Sequence, residues 1–162
     1  MNFSRIVING FIIYIGIALF FLLMEMVGWS DQIYLRLINF VFVIYGVNRT
    51  IKSNYENQVN GYFTNLISGI FTALVSLALG IFSFIGYIEY MGADHGGSNA
   101  YLQRYAGSYI FGGGEPSLYQ FVTGLTVEGV AASVMVSFAL MQYWKDKVEK
   151  INKVDDIAHN QH

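Results

Sequence analysis

The chain has 162 residues, of which 54% are hydrophobic and 12% are charged, and its formal net charge is −2. Soluble domains carry about 25% charged residues, so this composition excludes an ordinary soluble protein. The small net charge and the lack of a compact basic patch exclude a nucleic-acid-binding surface, and a chain without cysteine has no disulfides, thiolate nucleophiles or cysteine-ligated metal.

Two apolar segments near the N-terminus predict the first two membrane helices. Residues 6–27 form an apolar run that exceeds the about 7–15 residues of a signal-peptide core and meets the about 20 residues needed to cross hydrocarbon. Residues 33–48 are a weaker candidate, because Arg36 and Asn39 interrupt the run. We expect this segment to span the membrane with Arg36 reaching the headgroups, and a re-entrant or interfacial segment is the alternative.

Two longer apolar segments predict the third and fourth helices. Residues 62–90 follow a polar hairpin at 49–61, and residues 117–144 follow Pro116, a residue that fits the first turn of a helix. Residues 145–162 form a charged tail that we expect to continue the last helix. The sequence therefore predicts a single all-α domain over residues 1–162, a polytopic bundle of four transmembrane helices.

One long connection, residues 91–115, separates the third and fourth predicted helices. Within it, Tyr101, Tyr105 and Tyr109 recur every four residues, which predicts a short amphipathic helix lying in the membrane interface. A docking face for an external partner is the alternative.

The basic residues fall on alternate ends of the predicted helices. Seven lie on one side of the predicted bundle: Arg5, Arg49, Lys52, Lys145, Lys147, Lys150 and Lys153. The remaining two, Arg36 and Arg104, lie on the other side. Because short cytoplasmic segments are enriched in Lys and Arg, this distribution predicts that both termini are cytoplasmic and that the long loop faces outward.

Small residues at four-residue spacing predict the faces through which the last two helices pack. The third helix carries Thr64, Ser68, Thr72, Ser76 and Gly80, and the fourth carries Gly129, Ser133 and Ser137. Membrane helices associate through such ridges because small side chains permit close approach. Alternatively, these residues line a polar pathway through the membrane. Hydrogen bonds from their hydroxyl groups to carbonyls of their own helix would count against this alternative.

Glu128 is the candidate functional residue, because it lies deep in the fourth predicted helix. An ionised carboxylate at that depth costs roughly 2.5 kcal/mol or more unless it is paired, protonated or hydrated. Arg36 and Glu25 lie near the outer ends of their helices, and a link from Arg36 to Glu25 or Glu128 would lower the desolvation cost of each. These three residues form the predicted intramembrane polar network, with a structural or a functional role for Glu128 left open.

No catalytic motif, metal site or cofactor site is predicted. The sequence has no nucleophile–base motif and no dinucleotide or phosphate-loop fingerprint. Asp94, His95 and Glu115 in the long loop are too few and too loosely spaced to predict a metal site.

A family resemblance covers much of the chain. The segment Phe42–Tyr87 combines an apolar helix end with glycine, a basic hairpin with Asn-Gly, and a helix containing Ser-Gly-x-x-Thr. Together with EGVAASVMVSFALMQYWK near the C-terminus, it resembles the bacterial family called domain of unknown function 4199. The resemblance implies a small four-helix inner-membrane protein of unknown activity and no catalytic residues.

The first functional hypothesis is a non-enzymatic accessory or structural subunit of a larger membrane complex. Its expected partners are the lipid bilayer and either another membrane protein or further copies of this chain, and no nucleic acid. The alternative is a small oligomeric transporter or channel that uses Glu128. That alternative requires a cavity reaching Glu128, whereas dry, tight packing around this residue would contradict it.

Overall fold

The computed structural model describes residues 2–30, 32–59, 61–108 and 117–159, which are helical and contain no strand. The long helices are α1 (Phe3–Val27), α2 (Arg36–Glu56), α3 (Tyr62–Ala93) and α5 (Leu118–His159), with a short α4 (Ser98–Leu102) between the last two. Two 3₁₀ helices are present as well, at Ile33–Leu35 and at Gln103–Ser108. The prediction of an all-α fold is confirmed.

The ends of α1 follow from local side-chain and backbone chemistry. At its start, the Asn2 side chain accepts a hydrogen bond of 3.4 Å from the Arg5 backbone N–H. At its end, Gly28 has a φ of 78°, and the N–H of Trp29 donates to the carbonyl of Met24 at 2.9 Å. This left-handed glycine turn satisfies carbonyls that the end of a helix leaves unpaired.

Two helices are longer than the sequence predicted. α2 continues to Glu56, through the first half of the predicted hairpin at 49–61, because Ile51 and Asn54 are buried against neighbouring helices. α5 continues past the predicted span to His159, through the charged tail that was expected to extend the helix by a few turns.

Three helices among the described residues are long and apolar enough to cross a membrane, namely α1, α3 and the Leu118–Val148 part of α5. The prediction of membrane-crossing helices is confirmed for these three, whereas α2 does not reach the same apolarity. The difference arises from the polar residues of α2, which lower its average hydropathy.

α2 and α3 occupy the centre of the bundle. They pack against each other, and each also packs against both α1 and α5. Polar side chains of α2 turn toward its neighbours: Thr50 is buried, and Asn48 accepts a hydrogen bond of 2.8 Å from Trp144 Nε1. Apolar side chains such as Leu37 and Val41 point outward. Interior polar residues therefore lower the hydropathy of α2, together with the exposed charged residues of its last two turns.

One half of the bundle has a dense core to which α1, α2, α3 and α5 all contribute. Its buried side chains are Ile13, Val47, Ile51, Ala73, Met141 and Trp144, and we call this region the packed half. Gly46 lies so close to Ile13 that a methyl group at position 46 would overlap the isoleucine side chain.

Buried hydrogen bonds join three helices in the packed half. Asn9 of α1 donates from Nδ2 to Oγ1 of Thr50 at 2.9 Å, and this hydroxyl lies 3.0 Å from that of Thr72 on α3. Such bonds align helices in an apolar environment without leaving polar groups unsatisfied.

The predicted small-residue ridges lie between helices. Ser68, Thr72, Ser76, Ser133 and Ser137 are buried, while Thr64, Gly80 and Gly129 are half-buried. A Cβ atom at Gly69 would lie 3.2 Å from Ser137 Oγ, which shows how closely α3 and α5 approach each other.

The described part of the long loop folds back onto the bundle. Gly92 permits this return, since a Cβ atom there would lie only 2.6 Å from Ser98 Cα. The predicted short helix exists as α4, but Tyr101 and Tyr105 are buried at 2% and 3% exposure. They do not form an interfacial edge, because they pack against aromatic side chains of the bundle. The predicted third tyrosine, Tyr109, and Glu115 lie outside the described residues.

Candidate functional site

A cavity of about 410 Å³ lies between α1, α2, α3 and α5, beyond the packed half. We call this region the cavity half. Its wall is mainly apolar and includes five phenylalanines: Phe20, Phe21, Phe40, Phe84 and Phe121.

Arg36 and Glu128 form an ion pair on the wall of this cavity. Arg36 Nη1 lies 3.5 Å from Glu128 Oε2, and the two side chains are 22% and 32% exposed. Arg36 is the first residue of α2, and its guanidinium also lies over the ring of Phe121, 5.6 Å from the centroid. The structure therefore brings together two of the three residues of the predicted polar network, with Glu128 facing the cavity.

Glu25 has different partners from those proposed for the network. Its carboxylate lies 3.3 Å from Arg104 Nη2 and accepts hydrogen bonds from Tyr105 at 2.8 Å and Tyr101 at 3.4 Å. Of the two links that the sequence left open for Arg36, the structure has the one to Glu128, and Glu25 instead pairs with a cation of the folded-back loop. We call Tyr87, Tyr101 and Tyr105, with Glu25 and Arg104, the tyrosine cap.

The tyrosine cap forms one boundary of the cavity. Burial raises the pKa of Tyr105, and the hydrogen bond that its hydroxyl donates to Glu25 raises it further. Tyr105 therefore remains a neutral donor at physiological pH. Its ring and that of Tyr87 also line the cavity, so the loop contributes directly to the wall.

The small-residue ridges divide between the two halves. Ser68 and Thr72 are buried between helices, and each hydroxyl bonds back to a carbonyl of α3, at 2.7 and 2.8 Å. Ser76 and Gly80, further along the same face, line the cavity. A Cβ atom at Gly80 would have no atom within 4 Å, so this end of the ridge faces open space.

Sequence reasoning did not identify the tyrosine cap or the Asn9–Thr50–Thr72 hydrogen bonds. A signal for the cap was available, since the predicted orientation already placed Arg104 on the same side as the end of α1, where Glu25 lies. The buried bonds had no comparable signal, because polar residues spaced far apart in sequence do not reveal which pairs meet.

Within the described ranges, no group of three His, Asp or Glu side chains could hold a metal ion.

No protein-family model, curated protein or solved structure matches the chain. The resemblance to the family of unknown function therefore stays a prediction.

Proposed function

We propose that this chain is a non-enzymatic integral membrane protein that binds an amphipathic molecule in its cavity half. The supporting observation is the mainly apolar cavity of about 410 Å³ with the Arg36–Glu128 pair on its wall. Ligand pockets measure about 300–1,000 Å³ and combine an apolar lining with a few polar groups that orient the ligand. In this proposal the hydrocarbon part contacts aromatic rings and the polar end contacts the ion pair.

Trp29 lines the cavity and can report binding by fluorescence. The purified protein, held in an amphipathic polymer, is titrated with dodecyl-chain probes that carry bromine in the chain and a neutral, zwitterionic, anionic or cationic head. We expect saturable quenching of Trp29 by one or more of these probes. Trp144, the other tryptophan, lies in the packed half and is expected to be quenched less.

Two glycines of α3 provide a matched pair of control variants. Gly80→Leu places a large side chain in the open space of the cavity, and we expect it to abolish saturable quenching. Gly86→Leu makes the same change on the same helix, also into open space, but outside the cavity. It should bind like the unmodified protein. Saturable quenching that survives in Gly80→Leu, or that none of the four probes produces, would contradict the proposal.

The proposed membrane arrangement has α2 crossing beside the other three long helices, with both termini in the cytoplasm of a bacterial inner membrane. The outward apolar side chains of α2 before Arg49, among them Leu37 and Val41, support the crossing. Arg5 and Lys52 lie toward one end of the bundle and Arg104 toward the other, which supports the orientation. Arg5 bonds to Ser53 near the end of α2, at 2.7 Å.

Single cysteines test this arrangement, since the chain has none of its own. Trp29→Cys and Lys52→Cys place exposed thiols before and near the end of α2. We expect a membrane-impermeant maleimide to label the first from outside and the second only from the cytoplasmic side. Labelling of both from the same side would show that α2 does not cross.

The proposed cellular role is that of an accessory subunit. Large apolar side chains are exposed on the outside of the bundle, including Phe3, Phe63 and Phe82, and either lipid or a membrane partner covers them. The mass of the particle after extraction from native membranes in mild detergent tests this role. A strict monomer without a co-purifying protein would contradict it.

A small transporter is the second candidate, favoured by the position of Glu128 on the cavity wall. The packed half lies beyond the cavity, so passage through one protomer would require that core to open. Uptake of the best-binding probe into proteoliposomes, lost in Glu128→Gln, is the expected result. Uptake equal to that of protein-free vesicles would remove this candidate.

A further inference from the structure

Glu128 gives the cavity wall more hydrogen-bond acceptors than its ion pair uses. As the partner of a guanidinium it is a carboxylate, which has two oxygens, about four lone-pair sites and no donor. The contact with Arg36 reaches one oxygen, Oε2, at 3.5 Å, which is long for a hydrogen bond. The carboxylate therefore keeps acceptor sites for a ligand at the cavity wall.

Ser133 adds a second acceptor to the same helix. Its side chain is 3% exposed and lines the cavity. The hydroxyl donates to the Gly129 carbonyl at 2.7 Å, and a hydroxyl has only one hydrogen to donate but two lone pairs. Toward a ligand, the oxygen of Ser133 can therefore only accept.

Asn39 adds a third acceptor from α2. It lines the cavity, and its Oδ1 atom is buried without a hydrogen-bond partner among the described residues. In the packed half, by contrast, the amide of Asn9 donates to Thr50. The terminal torsion of asparagine is broad and roughly two-fold, so the amide can turn its oxygen toward the cavity, and that oxygen loses no bond. A buried acceptor without a partner is costly, so a donor from a ligand would stabilise it.

From these three acceptors we infer that the ligand is an amphipathic molecule whose polar end donates hydrogen bonds through O–H or N–H groups. The wall also holds a hydroxyl that can donate, that of Ser76. A ligand oxygen that only accepts can use such a donor, but it leaves Asn39, Glu128 and Ser133 without hydrogen bonds from the ligand. The inference rests on the proposed function and specifies its ligand class, with Asn39 as a specificity-determining residue.

Two matched pairs of brominated dodecyl probes test the inference in the unmodified protein. The first pair carries a glycerol head or its dimethyl ether, and the second carries a phosphoethanolamine or a phosphocholine head. Within each pair the chain and the net charge are the same, and methyl groups replace the hydrogens that donate. We expect the donating member of each pair to bind at least about tenfold more tightly, as the loss of hydrogen bonds to acceptors in an apolar cavity implies. The order of the glycerol and phosphoethanolamine probes identifies a hydroxyl or an ammonium as the donor.

Two outcomes separate the inference from the function on which it rests. A methylated probe that binds as tightly as its donating partner, or more tightly, would overturn the inference while leaving the proposed cavity function supported. Saturable quenching by none of the probes would instead contradict the function itself.

Asn39→Leu separates hydrogen bonding from exclusion of the bulkier methylated heads. It removes the amide at nearly constant size, so we expect the preference for glycerol over its dimethyl ether to fall at least about threefold. Asn57→Leu makes the same change at the exposed end of α2 and should keep the full preference. An Asn39→Leu protein that folds, as judged by monodisperse elution and helical circular dichroism, yet keeps the full preference would overturn the role of Asn39. If this variant fails to fold, the matched probes on the unmodified protein still decide.

Discussion

The packed half and the cavity half are built from the same helices, yet they differ in how small residues are used. In the packed half, Gly46 lies against Ile13 and Gly69 lies against Ser137 and Val47, so each small residue receives a neighbour. In the cavity half, Gly129 also lies against a side chain, that of Leu77, but Gly80 faces open space. Small residues therefore permit close packing but do not cause it, because the opposing side chain decides whether the space is filled.

Polar groups show the same contrast. In the packed half, Asn9 and Thr50 bond to each other in full burial. In the cavity half, Arg36 and Glu128 remain partly exposed to the cavity. The first arrangement fixes helices in place, whereas the second leaves two charged side chains at the cavity wall.

The largest effect is expected from a substitution that disrupts the packed half. Gly46→Leu would force a branched side chain into the space that Ile13 occupies. We expect the free energy of unfolding to fall by more than about 3 kcal/mol, which is above the usual range for overpacking. Gly80→Leu, the matched change in the cavity half, should leave the free energy of unfolding unchanged or raised, because leucine favours helix over glycine by up to about 1 kcal/mol. Unfolding in a denaturing-detergent titration measures both. Equal losses would show that the two halves are packed alike.

The next effect tests the buried hydrogen bonds of the packed half. Thr50→Val keeps the shape of the side chain but leaves the buried Asn9 amide without its acceptor, at a cost of about 1–3 kcal/mol. Thr123→Val, at an exposed position of α5 whose hydroxyl bonds only to its own helix, is the control. The same titration should find little change in the control, and a similar loss in both variants would assign no special role to Asn9.

A smaller effect is expected for the cavity pair. Breaking a fully buried ion pair costs about 3–5 kcal/mol, but exposure of Arg36 and Glu128 to the cavity reduces this to about 1–2 kcal/mol. Arg36→Ala or Glu128→Ala should therefore lower the midpoint of thermal unfolding in detergent moderately. The double replacement by leucine should recover most of the loss, because no charge then lacks compensation. An unchanged midpoint in both single variants would mean that the pair does not stabilise the fold.

The smallest effect is expected in the tyrosine cap, which bounds the cavity half. Tyr105→Phe removes the 2.8 Å hydrogen bond to Glu25, but Glu25 keeps its contacts with Arg104 and Tyr101. We therefore expect the free energy of unfolding to fall by about 1 kcal/mol. Tyr119→Phe, at a side chain that is 81% exposed, is the control. Amide hydrogen exchange in Ser98–Ser108 should increase in the first variant alone, and unchanged exchange there would mean that the bond does not hold the loop.

Much of the fold could be predicted from the sequence, because helices that are surrounded by hydrocarbon are long and apolar. Long apolar runs predicted α1, α3 and α5 and their approximate bounds, since a helix satisfies its own backbone hydrogen bonds in lipid. α2 escaped the same measure because it combines inward-facing polar residues with exposed charged residues in its last two turns, and an average over the helix does not record where they lie. The Arg36–Glu128 pair was within reach of sequence reasoning, because two charges at membrane depth favour pairing.

The sequence by itself determined the environment of this protein, its helical architecture and the candidate residue Glu128, since composition and periodicity act locally along the chain. Only the tertiary structure decided that Glu25 binds Arg104, that Tyr105 turns inward, and that a cavity opens beside Glu128. These features depend on which side chains meet across helices far apart in sequence, and packing volume is a property of all the helices together.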